Sequence, residues 1–261
     1  MNPSLFARCG WPVFIVVMLA YLTIPLALVI LFSFNTSALT SFPITGLTLD
    51  WYRKLARNES FWPALYNSLT VGAAVAAMSV AAGLLAALAL ARTEINRAQT
   101  FIDILSAPMM LPALIIGIAL LSFFVRGVSV PLGLPTVILG QLVVIVPFVI
   151  AILYARLSSF DWSLVESARD LGASPFQAFT TVTLPLIRPT LIGSILIALS
   201  LSLDDFVITF FTIGSGNTLP TLVWGLVRTA LDPTINAIAS LLLALSIGST
   251  ILALKLIDHR R

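Results

Sequence analysis

Two adjacent carboxylates, Asp204 and Asp205, lie inside a long apolar run, in the sequence LSLDDFVITFF at residues 201–211. They are the only acidic residues in any segment that is apolar and long enough to cross a membrane. A carboxylate near the middle of a bilayer costs about 2.5 to 3.5 kcal/mol on insertion scales, so such residues generally face a cavity or a partner. The chemistry available to them is electrostatic, because an anionic lining attracts a protonated amine, and more strongly where water is scarce.

A structural role for the same pair is the alternative. One aspartate could be solvated at the outer rim of the membrane, while the other binds Ser200, Ser202 or a neighbouring helix. Consecutive residues on a helix point about 100° apart, given about 3.6 residues per turn, so both carboxylates cannot face one cavity equally. The spacing does not say which of them does.

A second stretch with its own chemistry is ESARDLGASPFQAFTTVTLP at residues 166–185. Ser163 followed by Glu166 predicts a capping box and a first short helix that ends at Leu171. Gly172 then stands where a left-handed residue is needed after a helix, and Ser174 followed by Pro175 predicts the start of a second short helix.

Apolar residues recur on one face of each predicted short helix. They are Leu164, Ala168 and Leu171 in the first, and Phe176, Phe179 and Val182 in the second. One interpretation is an amphipathic hairpin that rests on the membrane surface. The other is a docking element that inserts into a groove on a soluble partner, since recognition of this kind uses apolar anchors at this spacing.

The remaining residue types exclude several classes of chemistry. None of the 14 glycines is followed by lysine, so there is no Walker A motif, and any ATP must be bound by another chain. Cys9 and His259 are the only cysteine and histidine, which leaves no disulfide and no Cys/His metal cluster. We therefore predict no catalytic residues, no metal ligands and no cofactor in this chain. Nor do the short basic loops suggest nucleic-acid binding.

The elements that must position these residues are membrane helices. Only 10% of the chain is charged and its mean hydropathy is +1.07, whereas about a quarter of the residues of a soluble domain are charged. A spanning helix needs about 20 apolar residues. Six runs qualify: Trp11–Phe34, Phe61–Ala91, Ile104–Val125, Gly127–Ala155, Leu186 to about Ile213, and Thr234–Leu254. The first is too long for the apolar core of a signal peptide, so we expect it to be retained.

The distribution of basic residues predicts that both termini lie inside. With six spans, nine basic residues fall on the inner side and five on the outer side. The inner set is Arg8, Arg92, Arg97, Arg156, Arg169, Arg188, Lys255, Arg260 and Arg261, and the outer set is Arg53, Lys54, Arg57, Arg126 and Arg228. A seventh span over residues 206–227 is rejected, because GSGN followed by Pro220 interrupts it and a further crossing would move the basic tail outside.

This topology divides the chain into three parts. Residues 1–60 would hold the first span and its outer connection, residues 61–257 the transmembrane core, and residues 258–261 a cytoplasmic tail. In the outer connection, Trp51, Tyr52 and Leu55 fall at helical spacing and predict an interfacial helix.

Kinks and close packing are predicted within the core. Pro108 and Pro112 should kink the third span and Pro147 the fourth. The small residues of Val71–Ala91 predict close packing against other helices.

The stretch at 166–185 resembles the cytoplasmic loop signature of the permease subunits of bacterial ABC importers: E-A-A, three residues, G, nine residues, I, one residue, L-P. Glu166, Ala168, Gly172, Leu184 and Pro185 match at the family's spacing, while Ser167 replaces the middle alanine and Val182 the isoleucine. The resemblance covers about residues 60–255. It implies an all-α integral membrane protein with the type I importer permease fold. It also implies a cytoplasmic loop, about residues 156–185, that docks into a separate ATPase.

The residues that would couple this loop to the ATPase share the signature or adjoin it. They are Glu166, Ala168, Leu171, Gly172, Leu184 and Pro185.

A narrower resemblance rests on LSLDDFVITFF, on TLPTLVWGLVR and on DPTINAIASLLL at residues 232–243. These segments are similar to the second permease subunit of spermidine/putrescine importers. That similarity implies a polyamine or related cationic amine as solute, alternating access in the bacterial inner membrane, and Asp204 and Asp205 on the substrate path. It implies three partners within the lipid bilayer or beside it: a second, similar permease subunit, an ATPase dimer that binds ATP and Mg, and a periplasmic substrate-binding protein.

Other functions fit parts of the pattern. Permeases for iron, thiamine, opines, phosphonates or amino acid derivatives resemble the same signature. An ion-coupled secondary transporter could use Asp204 and Asp205 as its ion site, although six spans without an internal repeat do not suggest that architecture. A membrane enzyme would need a second polar cluster at membrane depth, and the sequence has none.

Overall fold

The computed structural model describes residues 5–37, 42–93, 95–229 and 232–258, and these residues form helices without any strand. The predicted all-α class is confirmed for this part of the chain. The last three residues of the predicted tail, 259–261, lie outside the described residues. The helices are α1 (Leu5–Ser33), α2 (Asp50–Ala56), α3 (Phe61–Leu90), α4 (Ile95–Ser106), α5 (Ala113–Ser122), α6 (Leu134–Ser158), α7 (Ser163–Asp170), α8 (Pro175–Ala178), α9 (Leu184–Asp204), α10 (Val207–Thr212), α11 (Leu219–Thr229) and α12 (Thr234–Asp258).

Four described helical segments are long and apolar enough to cross a membrane: Trp11–Ser33, Phe61–Leu90, Leu134–Ser158 and Pro175–Asp204. They correspond to the first, second, fourth and fifth predicted spans. A bent pair of helices, Arg97–Met110 with Ala113–Gly127, is also long and apolar enough to cross a membrane when the two are taken together. Thr234–Gly248 is a shorter apolar helix.

The third predicted span is bent at its prolines, as predicted, and the bend is sharp enough to divide it into two helices. Its two halves meet at an angle of 90° around Leu111 and Pro112. Proline disfavours the helical conformation of the residue before it, and Leu111 is extended, with φ −84° and ψ 144°. Pro147, by contrast, lies buried inside α6 without ending it.

The fifth predicted span has different ends from those expected. The second short helix is not separate from it, because α8 continues through a single π-helical turn, Phe179–Thr183, into α9. In this turn Leu184 donates its N–H to the carbonyl of Phe179, five residues back. Pro185 follows and has no N–H to give, so the wider turn fits a helix that must pass a proline. At the other end α9 stops at Asp204, and α10 begins three residues later, at Val207.

The described chain forms two compact units: Met1–Phe61 with Val223–Leu245, and Trp62–Leu222 with Ser246–Arg261. The core of the second unit is built from α3, α6 and α9. Gly83 shows how closely these helices approach, because a Cβ added to it would lie 2.7 Å from Cγ1 of Val149. The predicted close packing of the small residues in α3 is confirmed here. In a bilayer, where lipid tails are as apolar as leucine, such packing supplies much of the association energy.

In the first unit, the side chains of α1 from Trp11 to Ala27 are exposed. The predicted helix of the outer connection is present as α2, and Leu55 is buried within the unit. Trp51 donates its indole N–H to the carbonyl of Asn35 (2.6 Å), and the Tyr52 hydroxyl bonds Ser33 Oγ (2.7 Å). These aromatic residues therefore tie α2 to the end of α1.

Candidate functional site

The break between α9 and α10 is organised by the side chain of Asp205. Its Oδ2 accepts hydrogen bonds from the backbone N–H of Thr209 (2.9 Å) and from the Thr209 hydroxyl (2.8 Å), and its Oδ1 accepts from the N–H of Ile208 (3.4 Å). The first N–H groups of a helix have no partner within the helix, so a carboxylate placed before them acts as a cap. Asp205 thus caps the start of α10, and its carboxylate is occupied by hydrogen bonds from the chain itself.

Gln141 of α6 completes the same network, and sequence reasoning missed it. Its Nε2 donates to Asp205 Oδ2 (3.2 Å), to Thr209 Oγ1 (2.9 Å) and, more weakly, to the carbonyl of Ser202 (3.4 Å). Its Oε1 accepts from Ser202 Oγ (2.5 Å). The side chain is 1% exposed. The sequence did carry a signal, because Gln141 is the only amide side chain in the charge-free run from Gly127 to Ala155.

A cavity of about 380 Å³ opens beside this network. Asp204 lines it and is exposed, and among the described residues its carboxylate makes no hydrogen bond or ion pair. The rest of the lining is mostly apolar and includes Met109, Leu111, Leu201 and Phe206. The structure thus separates the two predicted substrate-path residues: both reach the cavity, but only Asp204 has an uncommitted carboxylate.

Two helix breaks meet at the cavity. Met109 and Leu111 belong to the bend before α5, while Asp204 and Phe206 belong to the break after α9. The last carbonyls of a helix lack partners within it and carry the negative end of its dipole. Because α9 ends at Asp204, this partial negative charge lies beside the free carboxylate. The site therefore favours a cation, and its apolar walls suit an alkyl chain.

The stretch that resembles the permease loop signature forms a turn between α7 and α8. Gly172 has φ +91°, as predicted for a left-handed residue after a helix. The N–H of Ala173 bonds the carbonyl of Ala168 (3.0 Å), and the N–H of Gly172 bonds that of Arg169 (2.9 Å). These two bonds form a Schellman motif, which ends α7 sharply. At the start of α8, Ser174 and Gln177 cap each other reciprocally.

The predicted capping box of Ser163 and Glu166 is wrong. Ser163 is the first residue of α7, and it donates its N–H (3.1 Å) and its hydroxyl (2.6 Å) to Oδ1 of Asp161. These hydrogen bonds lower the pKa of the Asp161 carboxyl. Glu166 is left with an exposed side chain that makes no hydrogen bond or ion pair within the described residues.

The predicted apolar face of α7 also differs from the observed one. Val165 is the buried residue, whereas Leu164 is 46% exposed and Leu171 is 90% exposed. Phe176 on α8 is 74% exposed. Exposed apolar side chains at a helical turn are candidates for contact with a partner. The exposed residues Leu164, Glu166, Leu171 and Phe176 are called the docking surface below, after the role that the sequence predicts for this loop.

Of the six predicted coupling residues, two line one shallow cavity of about 350 Å³, namely Glu166 and Gly172. Ala168 and Leu184 are half-buried and pack against the core. Pro185 is exposed and lies in the first turn of α9.

Apolar helices long enough for a bilayer, a carboxylate-bearing cavity at broken helices and an exposed helical turn define an integral membrane transport protein. The family described as "Binding-protein-dependent transport system inner membrane component" matches residues 79–261, and the chain belongs to it. The predicted recognition as an importer permease is thereby confirmed. The chain is a transport subunit of the inner membrane.

Proteins of known name are similar in sequence to this chain over most of its length. It is 35% identical over 251 residues to the putrescine transport system permease protein PotI of Escherichia coli (strain K12), covering 93% of this chain and 89% of that protein. It is 34% identical over 237 residues to the spermidine/putrescine transport system permease protein PotC of the same strain, covering 90% and 88%. PotC of Haemophilus influenzae is 31% identical, covering 92% and 93%.

Solved structures share the fold. A chain of a bacterial alginate ABC transporter, solved in complex with an alginate pentasaccharide-bound periplasmic protein, has a TM-score of 0.71 at 17% identity and covers 96% of each chain. A chain of the MetNI methionine ABC transporter has a TM-score of 0.59 at 18% identity, covering 82% of this chain and 99% of that one. The predicted ABC importer permease fold is confirmed at this level.

Proposed function

We propose that this chain is one of two permease subunits of an ATP-driven importer and that its solute is a polyamine or a related cationic amine. The observation that carries the proposal is Asp204, a carboxylate without a described partner in a mostly apolar cavity. The names of the relatives, putrescine and spermidine/putrescine permeases, support the same class of solute.

The cavity has the chemistry that a protonated amine requires. The carboxylate of Asp204 and the carbonyl end of α9 attract an ammonium group, and this attraction grows as water is displaced. Leu201 and Leu111 offer an apolar surface to the methylene chain between two ammonium groups. Phe206 adds an aromatic ring, which favours contact with a cation. An anionic solute such as a phosphonate would be repelled by the same groups.

Energy coupling is assigned to the docking surface. We expect Leu171 and Phe176 to insert into a groove on an ATPase subunit, with Glu166 making a polar contact at its edge. Helix-in-groove recognition relies on such apolar anchors. ATP and Mg would be bound by the ATPase dimer, because this chain carries no Walker A sequence.

Six crossings with both termini in the cytoplasm account for this arrangement. In that topology α1, α3, the bent pair of α4 and α5, α6, the segment from α8 to α9, and α12 each cross once. The docking surface then faces the cytoplasm, and the break after α9 lies toward the periplasm. There the cavity would receive solute from a periplasmic substrate-binding protein, alongside a second permease subunit in the same bilayer.

The test is uptake of labelled putrescine by cells that express the complete transporter with Asp204→Asn. Asparagine keeps the shape of the side chain and removes its charge, so we expect uptake to fall at least several-fold while subunit levels and basal ATPase activity are unchanged. Asp205→Asn is the matched control. Its amide oxygen can still cap α10, so its effect should be mild.

Normal putrescine uptake by Asp204→Asn would remove the main physical support for an amine substrate. Transport by the purified chain alone, driven by a proton or sodium gradient, would instead favour an ion-coupled secondary transporter.

A further inference from the structure

The two aspartates are adjacent in sequence and both line the cavity, yet only one of the two carboxylates is free of hydrogen bonds within the described residues. The carboxylate of Asp205 is engaged by Thr209, Ile208 and Gln141, and that of Asp204 has no described partner. Thr209 and Ile208 belong to the helix that Asp205 caps. Gln141 comes from a different helix, α6, and is therefore the one contact whose removal leaves the cap itself in place.

Gln141 is held in a single orientation. Its Oε1 accepts from the hydroxyl of Ser202, so its amide nitrogen must face Thr209 and Asp205. With 1% exposure, the side chain has no water to replace a lost partner. A buried amide whose donors and acceptor are all used specifies one arrangement of its neighbours.

We propose that Gln141 is a specificity-determining residue, which binds Asp205 and so limits the cavity to one free carboxylate. This inference rests on the proposed function. One free carboxylate in this chain pairs with one ammonium group, and any further ammonium of the solute must find its partner elsewhere, in the second permease subunit. Gln141 acts through Asp205 and is a positioning residue rather than a direct ligand.

The test is Gln141→Leu in the complete transporter, reconstituted in proteoliposomes with the binding protein saturated by putrescine or by spermidine. Leucine has a similar volume and cannot donate to Asp205. The serine hydroxyl that loses its acceptor can turn to a carbonyl of its own helix. We expect the ratio of spermidine to putrescine turnover to rise at least threefold, because Asp205 Oδ2 loses one of its donors and can offer that acceptor position to the more highly charged amine.

The decisive control is the same substitution in an Asp205→Asn background. There the second charge is absent, so the ratio should return to the wild-type value even though Gln141 is still missing. Thr136→Val is a matched control for packing. Thr136 is also buried in α6 and also bonds a residue of α10, donating to the carbonyl of Thr212 (2.7 Å), but it does not touch either aspartate.

Ser202→Ala gives a second, milder route to the same result, because it frees the amide of Gln141 to rotate without removing it. We expect a smaller rise of the ratio in the same direction, and this variant serves if Gln141→Leu does not assemble. Equal loss of turnover for both amines in these variants, or a shift that persists without the Asp205 charge, would overturn the inference. Absence of amine transport by the wild-type complex would instead overturn the proposed function.

Discussion

The guanidinium of Arg92 lies over the ring of Trp162, 4.9 Å from its centroid. Arg92 follows the end of α3, and Trp162 immediately precedes α7. The ring of Trp162 also packs edge-on against Phe160, at a centroid distance of 5.0 Å. A transmembrane helix of the core is thus joined to the helix that carries the docking surface. A movement imposed on α7 by a partner would reach α3 through this contact.

The first prediction concerns this contact. An exposed cation–π pair contributes about 0.5 to 1 kcal/mol, so Arg92→Met should weaken the hold on α7 without unfolding the chain. We expect uptake per ATP hydrolysed to fall about two- to fivefold, since about 1.4 kcal/mol corresponds to tenfold. The measurement is coupled uptake and ATPase activity of the reconstituted complex.

Trp162→Phe and the variant with both substitutions complete a double-mutant cycle. If the two substitutions act through one contact, the double variant should be no worse than the more severe single one. Additive losses would mean that Arg92 and Trp162 act separately.

The second prediction concerns Gly172. A Cβ at this position meets nothing within 4 Å, so space is not the constraint, but a positive φ of 91° strains other residues. The left-handed conformation costs about 1 to 2 kcal/mol for L-residues and less for asparagine. Gly172→Val should therefore reduce co-purification of the ATPase and uptake, while Gly172→Asn should retain most of both. If valine were tolerated as well as asparagine, the shape of this turn would not matter for docking.

The turn at Gly172 and the cap at Ser174 were predictable because both are determined by residues within a few positions. The long helices were predictable for a related reason, since charge-free runs have few alternatives in a bilayer. The break after Asp204 is not evident from the sequence, because LSLDDFVITFF belongs to one long apolar run. Aspartate is also a capping residue, but inside such a run its charge is the more prominent feature.

The roles of the two aspartates could not be separated from sequence at all. The separation depends on Gln141, which is 64 positions before Asp205 and reaches it only through the packing of α6 against the break. The predicted cap at the start of α7 is wrong for a more local reason. Asp161 and Ser163 are both capping residues, two positions apart, and the pattern does not decide which of them accepts the hydrogen bonds.

The third prediction concerns the docking surface. Because Leu171 is 90% exposed, Leu171→Ser should change the stability of this subunit by no more than about 0.5 kcal/mol, as is usual for surface substitutions. We expect it to lower co-purification of the ATPase markedly. Val165→Ala is the contrasting control, since Val165 is buried in the core cluster. It should lower the thermal stability of the subunit first, and association only as a consequence.

The fourth prediction concerns an ion pair in the first unit, between Lys54 Nζ and Asp232 Oδ2 at 2.7 Å. Partial burial raises the pKa of Asp232, but this is outweighed by hydrogen bonds from Lys54 and Thr234, so the net pKa lies below its ordinary value of 3.8. A carboxyl whose pKa is lowered on folding stabilises the folded state above the unfolded pKa, and this contribution is lost as the pH falls through the folded pKa. The lysine side chain is 57% exposed, so the pair contributes no more than about 0.2 to 1 kcal/mol.

Thermal unfolding in detergent should therefore show Asp232→Asn to be slightly less stable than wild type at pH 5 to 7, with the difference shrinking once the pH drops below 3.8. Lys54→Met should give a loss of similar size that disappears over the same range. A difference that is as large at low pH as at neutral pH would mean that Asp232 stabilises the unit through contacts that do not depend on its charge, such as its hydrogen bond from the N–H of Thr234.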